Sequence, residues 1–145
     1  MDFRQDRVLG GRKVLLAVHS KAIRELLSPI FKQIGAGTIL FGSGAEMLRQ
    51  VREFDPGIVF CEADLDTMTG IDFVRQLRKE MKLTMAVVLV VDQHDGEVAA
   101  KALEVGASDV LPVPFSVADI IRVSKKVLEK PEAQTRLRFG PRPPQ

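Results

Sequence analysis

Cysteine is nearly absent from this 145-residue chain. Cys61 stands alone, which excludes an internal disulfide and fits a reducing compartment. Long apolar runs are missing too: the longest, "MAVVLVV" at 85–91, falls far short of the ~18 residues needed to cross a membrane. The opening "MDFRQDR" is charged and has no apolar stretch of the secretory kind. Charge of one sign is not in excess, since the formal net charge is +2, and this argues against a surface built for DNA. The histidines, His19 and His94, do not stand at metal-ligand spacing with each other or with Cys61, and no Ser-His-Asp or Cys-His arrangement emerges. These absences lead to the expectation of a soluble cytoplasmic protein with no membrane insertion, no metal and no enzymatic activity.

What is present is an alternation of short apolar runs with helical patterns. The runs at 13–18, 38–41, 57–61, 85–91 and 109–113 are continuously apolar, as parallel strands covered on both faces are. Between them, Ile23, Leu26, Leu27, Ile30, Phe31 and Ile34 keep the spacing of one buried helix face, with Ser20 as cap and Gly35 as stop. Pro29 inside that pattern predicts a kink. Further helices are expected over 45–54, 70–81, 96–105 and 116–129, the last turning Val117, Ile120, Ile121, Val127 and Leu128 inward. Five such units predict an α/β fold: a five-stranded parallel sheet in the flavodoxin-like order 2-1-3-4-5, with helices on both faces. The expected domain covers 12–129, after a flexible start over 1–11. Residues 130–145 hold four of the eight prolines and no apolar periodicity, and are expected to be a disordered Pro/Arg-rich tail.

In a sheet of this kind ligands bind beyond the carboxyl ends of the strands. The stretch "FCEADLDTMTG" (60–70) lies at that edge and clusters three acids, Glu62, Asp64 and Asp66. With "GIVFCEADLDTMTGIDFVRQLRK", "ALEVGASDVLPVPF" and Arg24 in the first helix, the chain resembles the receiver domains of bacterial response regulators, CheY-like in size, over roughly 12–129. The resemblance implies two acids after strand one that help hold Mg²⁺, a phosphoryl-accepting aspartate after strand three, a Thr or Ser ending strand four, and a Lys before a proline after strand five. Such side chains neutralise and read the charge of a transferring phosphoryl group.

Every one of those positions departs from the pattern. Eight residues before Gly70 stands Glu62 in the acceptor's place, and six before Arg24 stand Val18 and His19 in place of the acid pair. Val91 replaces the hydroxyl residue and Val113 the lysine. Losing that lysine alone removes a charge-assisted bond worth ~1.5–3 kcal/mol. The expectation is therefore a degenerate pseudo-receiver that acts by phosphorylation-independent contact with other proteins, with no Mg²⁺ and with Glu62 solvated or paired to His19. Asp64 and Asp66 are the alternative acceptors if the alignment slips. Glu62 as a permanent phosphoryl mimic is the weaker alternative, because one negative charge stands against roughly −1.5 to −2, and Val110 fills the place of a switching aromatic.

The resemblance also implies a docking face on helix four, strand five and helix five, where Lys101, Glu104, Arg122 and Lys125 are the expected exposed positions for a protein partner or a second copy. Pro112 and Pro114 blunt the edge of strand five, which favours side-chain contacts over strand addition. A cis bond is expected at Val113–Pro114. Outside the resemblance, "GSGAEM" (42–47) lacks the last glycine of a dinucleotide fingerprint and is read as a turn and helix start. Asp92 and Asp95 are read as solvated loop residues. In the tail, Arg136, Arg138 and Arg142 flank Phe139, and arginine pairs well with phosphate and flat rings. Some CheY-like proteins bind cyclic di-GMP through arginine-rich segments, and this tail is loosely similar to theirs.

Overall fold

The computed structural model describes residues 8–129, and the N-terminal seven residues and the segment 130–145 lie outside that range. Its strands are β1 (Lys13–Ala17), β2 (Thr38–Gly42), β3 (Ile58–Glu62), β4 (Ala86–Asp92) and β5 (Asp109–Val113). The helices between and after them are α1 (Lys21–Gln33), α2 (Gly44–Phe54), α3 (Gly70–Arg75), α4 (Gly96–Glu104) and α5 (Val117–Leu128). The strands form one sheet in the order β2-β1-β3-β4-β5, with every neighbouring pair parallel. This is the order expected from the alternation of patterns.

Each strand feeds two apolar layers, which is why its sequence reads as an unbroken apolar run. Val14 and Leu16 of β1 join Leu27 and Phe31 of α1 and Ile120, Val123 and Val127 of α5 on one face. Leu15 and Ala17 join Met47 and Val51 of α2, Phe73 of α3, Leu77 just beyond it and Ala102 of α4 on the other. The rings of Phe31 and Phe60 meet with centroids 4.8 Å apart at 56°, tying α1 to β3, a contact worth ~0.5–1.5 kcal/mol beyond the area it buries.

Side-chain caps set the helix starts. Ser20, Ser43, Thr69, Asp95 and Ser116 each accept a backbone N–H from the first turn of α1 to α5. Ser43 thus makes "GSGAEM" the turn and helix start it was read to be. Helix α1 is one element that contains Pro29. Two details differ from expectation. Leu26, expected on its buried face, is 53% exposed: it lies about 100° round the helix from the buried Leu27 and about 140° from the buried Phe31, at the border of the stripe. The helix expected over 70–81 changes character: α3 is continued by a wider π-helical turn over Gln76–Glu80. That turn carries Arg78, whose guanidinium donates to the carbonyls of Gly106, Leu83 and Met85, each at 2.9 Å. Such wider turns are rare, and this one carries the arginine that serves all three carbonyls.

Candidate functional site

The carboxyl ends of β1, β3, β4 and β5 meet at one edge and bring Val18, His19, Glu62, Val91 and Val113 to it. Glu62 closes β3. Its Oε1 accepts the backbone N–H of His19 at 2.6 Å and of Ser20 at 2.8 Å. Ser20 in turn caps α1, its Oγ accepting the N–H of Ile23 at 3.2 Å. Glu62 was expected to be solvated or paired to His19. It is held by main-chain N–H groups of the β1–α1 loop, and the His19 residue itself is exposed. The physical reason is geometric: a glutamate is long enough to reach amides that gather at a helix start, where partial positive charge favours a carboxylate.

The neighbours are apolar. Val18 is buried in the α1/α5 layer, Val91 in the α2/α3/α4 layer, and Val113 is half-buried against the first. Behind Glu62, Cys61 is buried, and burial first and the Glu62 carboxylate second push its thiol well above the ordinary range. The thiol donates to the Glu62 carbonyl at 3.3 Å, so it is an inert strand residue. The loop after β3 is tightly laced. Gly70 N–H donates to the Ala63 carbonyl at 2.7 Å, Leu65 N–H to Met68 at 3.0 Å, and Ala63 N–H to Val90 at 3.1 Å. A side chain at Gly70 would overlap the Glu62 carbonyl oxygen, which explains the glycine. Asp64 and Asp66 stand on this loop, both exposed, with Asp64 bridged to Thr69. Among the described residues, no group of three or more His, Cys, Asp or Glu is placed to hold a metal ion.

Asp92 and Asp95 are both exposed, as expected, and each also accepts a backbone N–H: Asp92 Oδ1 that of His94 at 2.8 Å in the turn after β4, and Asp95 Oδ1 that of Val98 at 3.1 Å at the start of α4. The Val113–Pro114 bond is cis, as expected.

On the side of the sheet edge formed by β5, Lys101 pairs with Glu104 at 3.1 Å and Arg122 with Asp119. Lys125 is exposed. Sequence reasoning missed two features of this region. Lys126 reaches Asp109 at 3.1 Å across α5 and β5, and Leu103 of α4 is 48% exposed. Helical spacing from the buried Ala102 could have placed Leu103 outside. The tail arginines Arg136, Arg138 and Arg142, and with them the expected cyclic di-GMP contact, lie outside the described residues.

Comparison with known proteins agrees with this architecture. The chain is 29% identical over 119 residues to the Regulator of RpoS of Escherichia coli (strain K12), a match covering 82% of this chain and 34% of that protein. It is 30% identical over 130 residues to protein-glutamate methylesterase/protein-glutamine glutaminase 1 of Oleidesulfovibrio alaskensis, covering 87% and 35% respectively. The chain thus spans about a third of the length of these relatives. A crystal structure of a putative response regulator from Chloroflexus aurantiacus superimposes with a TM-score of 0.77 at 21% identity, covering 82% of this chain and 98% of that one. The chemotaxis response regulator CheY4 of Vibrio cholerae does so with 0.72 at 21%, covering 80% and 98%. The family model of the response regulator receiver domain matches residues 14–125, and the chain belongs to that family.

Proposed function

We propose that this chain is a receiver domain of two-component signalling that acts through contact with other proteins and takes up no phosphoryl group. The observation that carries this reading is the use of Glu62: its carboxylate serves two main-chain N–H groups and is a glutamate where the family has an aspartate. Val18, Val91 and Val113 offer a transferring phosphoryl group neither charge nor hydrogen bond. The donor set does not fit Mg²⁺, which takes oxygen ligands in near-octahedral geometry, because Val18 has no side-chain oxygen and Glu62 Oε1 is already engaged. No catalytic role is assigned to any residue. Partner contact is assigned to the face of α4, β5 and α5 that carries Lys101, Glu104, Arg122 and Lys125.

Incubation with acetyl phosphate and Mg²⁺, followed by intact-mass measurement, tests the reading. An unchanged mass is expected. A stoichiometric, base-labile phosphoryl adduct on Asp64 or Asp66 overturns it and restores the alternative acceptors.

A further inference from the structure

Two non-glycine residues among those described adopt left-handed backbone, Asp55 at φ 53° and Lys82 at φ 58°. Each follows the last turn of a helical segment, where glycine is the usual solution because it has no Cβ to crowd the following carbonyl. The two belong to different loops, α2–β3 and α3–β4, yet both line one cavity of about 450 Å³ at the amino-terminal edge of the sheet. This is the opposite end from Glu62. Two departures from glycine that converge on one concavity point to side chains with a use there.

The remaining walls define the chemistry. Pro56, Met85 and Val127 supply an apolar floor, and Arg12 joins Lys82 and Asp55 at the exposed rim. Arg12 is set in place twice. Its stem lies against Gly57, where a Cβ would come within 2.8 Å of the Arg12 Cδ, and its Nη1 donates to the Leu9 carbonyl at 3.0 Å. A guanidinium so held has further N–H groups to offer, and it loses little freedom on binding. Among the described residues, two cations and one carboxylate leave the rim with a single net positive charge. That balance suits a monoanion, and the Asp55 carboxylate disfavours ligands of higher charge.

We propose that this cavity binds a small amphiphilic monoanion, a short aliphatic or aromatic acid whose apolar body lies on the floor while its acid group meets Arg12 and Lys82. The combination of a few fixed polar groups over an apolar floor, within an ordinary ligand-sized volume, is that of small-molecule sites in general. The site is independent of the chemistry at the carboxyl edge.

Titration of the full chain with octanoate, followed by amide NMR, tests the proposal. Saturable shifts are expected at Asp55, Gly57 and Lys82 to Ala86, and 1-octanol, with the same tail and no charge, should bind at least about tenfold more weakly. Lys82→Gly is the decisive variant, because it relieves left-handed backbone and so keeps or raises the melting temperature while weakening octanoate by about tenfold. Arg12→Gln should weaken it similarly. Shifts centred elsewhere, equal binding of octanol, no binding by the full chain, or undiminished binding by Lys82→Gly would each overturn the proposal.

Discussion

The Glu62 carboxylate stands 2.6 Å from the backbone nitrogen of His19, so the last side chain of β3 holds the loop that follows β1. Aspartate, one methylene shorter, cannot keep this reach. Glu62→Asp should therefore lose about 1–2 kcal/mol of stability, the low end of the range for bonds to a charged group because the residue is only half-buried. Urea unfolding and faster amide exchange at His19 and Ser20 would register the loss. The same substitution restores the family's usual acceptor type and should still leave the protein unphosphorylated, since Val18, His19, Val91 and Val113 are unchanged.

Arg78 answers three carbonyls on the α3–β4 connection and the loop before β5. Arg78→Ala leaves those half-buried acceptors without their donor and should cost roughly 2–4 kcal/mol. Arg78→Lys should recover only part of it, because an ammonium cannot span the three positions as the guanidinium fork does. A fall in the urea midpoint at constant m-value is the expected signature.

Asp119 forms a capping box with Ser116 at the start of α5. Its carboxyl is held below the ordinary aspartate value, first by the Ser116 backbone N–H and then by the Arg122 guanidinium. A folded-state value below the unfolded one stabilises above the unfolded pKa, and the gain disappears as pH falls through the folded value. Melting temperatures of the native chain and Asp119→Asn should differ near neutrality and converge in acid below both values. A gap that stays constant with pH would show that this carboxylate's ionisation contributes nothing.

Lys101 and Arg122 each pair one turn away on their own helix, and exposed pairs of this type contribute little to stability. Lys101→Glu combined with Arg122→Glu should shift the unfolding free energy by less than about 1 kcal/mol. Partner binding, or self-association followed by sedimentation, should nevertheless weaken at least tenfold, about 1.4 kcal/mol. Affinity and association both unaffected by the reversal would move the docking surface elsewhere.

The sheet and its order were legible in the sequence because parallel strands covered on both sides leave unbroken apolar runs, and strand limits came within one residue of 13–17, 38–42, 58–62, 86–92 and 109–113. Positions at the carboxyl edge could be found by counting from Gly70 and Arg24, and Gly70 is fixed there by its close contact with the Glu62 carbonyl. What Glu62 bonds to was not legible. Composition favours an imidazole partner, whereas the amides that win belong to residues whose side chains carry no signal of it. The π-helical turn was hidden for a similar reason: an arginine in a helical pattern looks like a solvated residue until the carbonyls it serves, around 83–85 and 106, are brought beside it. Asp92 and Asp95 are exposed as expected, but the cap that Asp95 makes was not legible, because loop acids look alike whether they are free or closing a helix start.

The place of β1 between β2 and β3 has a consequence for how the chain is made. Val14 pairs with Ile39 on one side and with Ile58 on the other. During synthesis β1 and β2 can meet early, but the second edge of β1 stays open until β3 leaves the ribosome, which at about 5–20 residues per second takes a few seconds. For that interval the nascent chain exposes a strand of valine and leucine with unpaired amides, and Glu62 has not yet arrived to secure the loop beyond it. Completion of β3 thus delivers in one step both the missing neighbour of the central strand and the carboxylate that fastens its end.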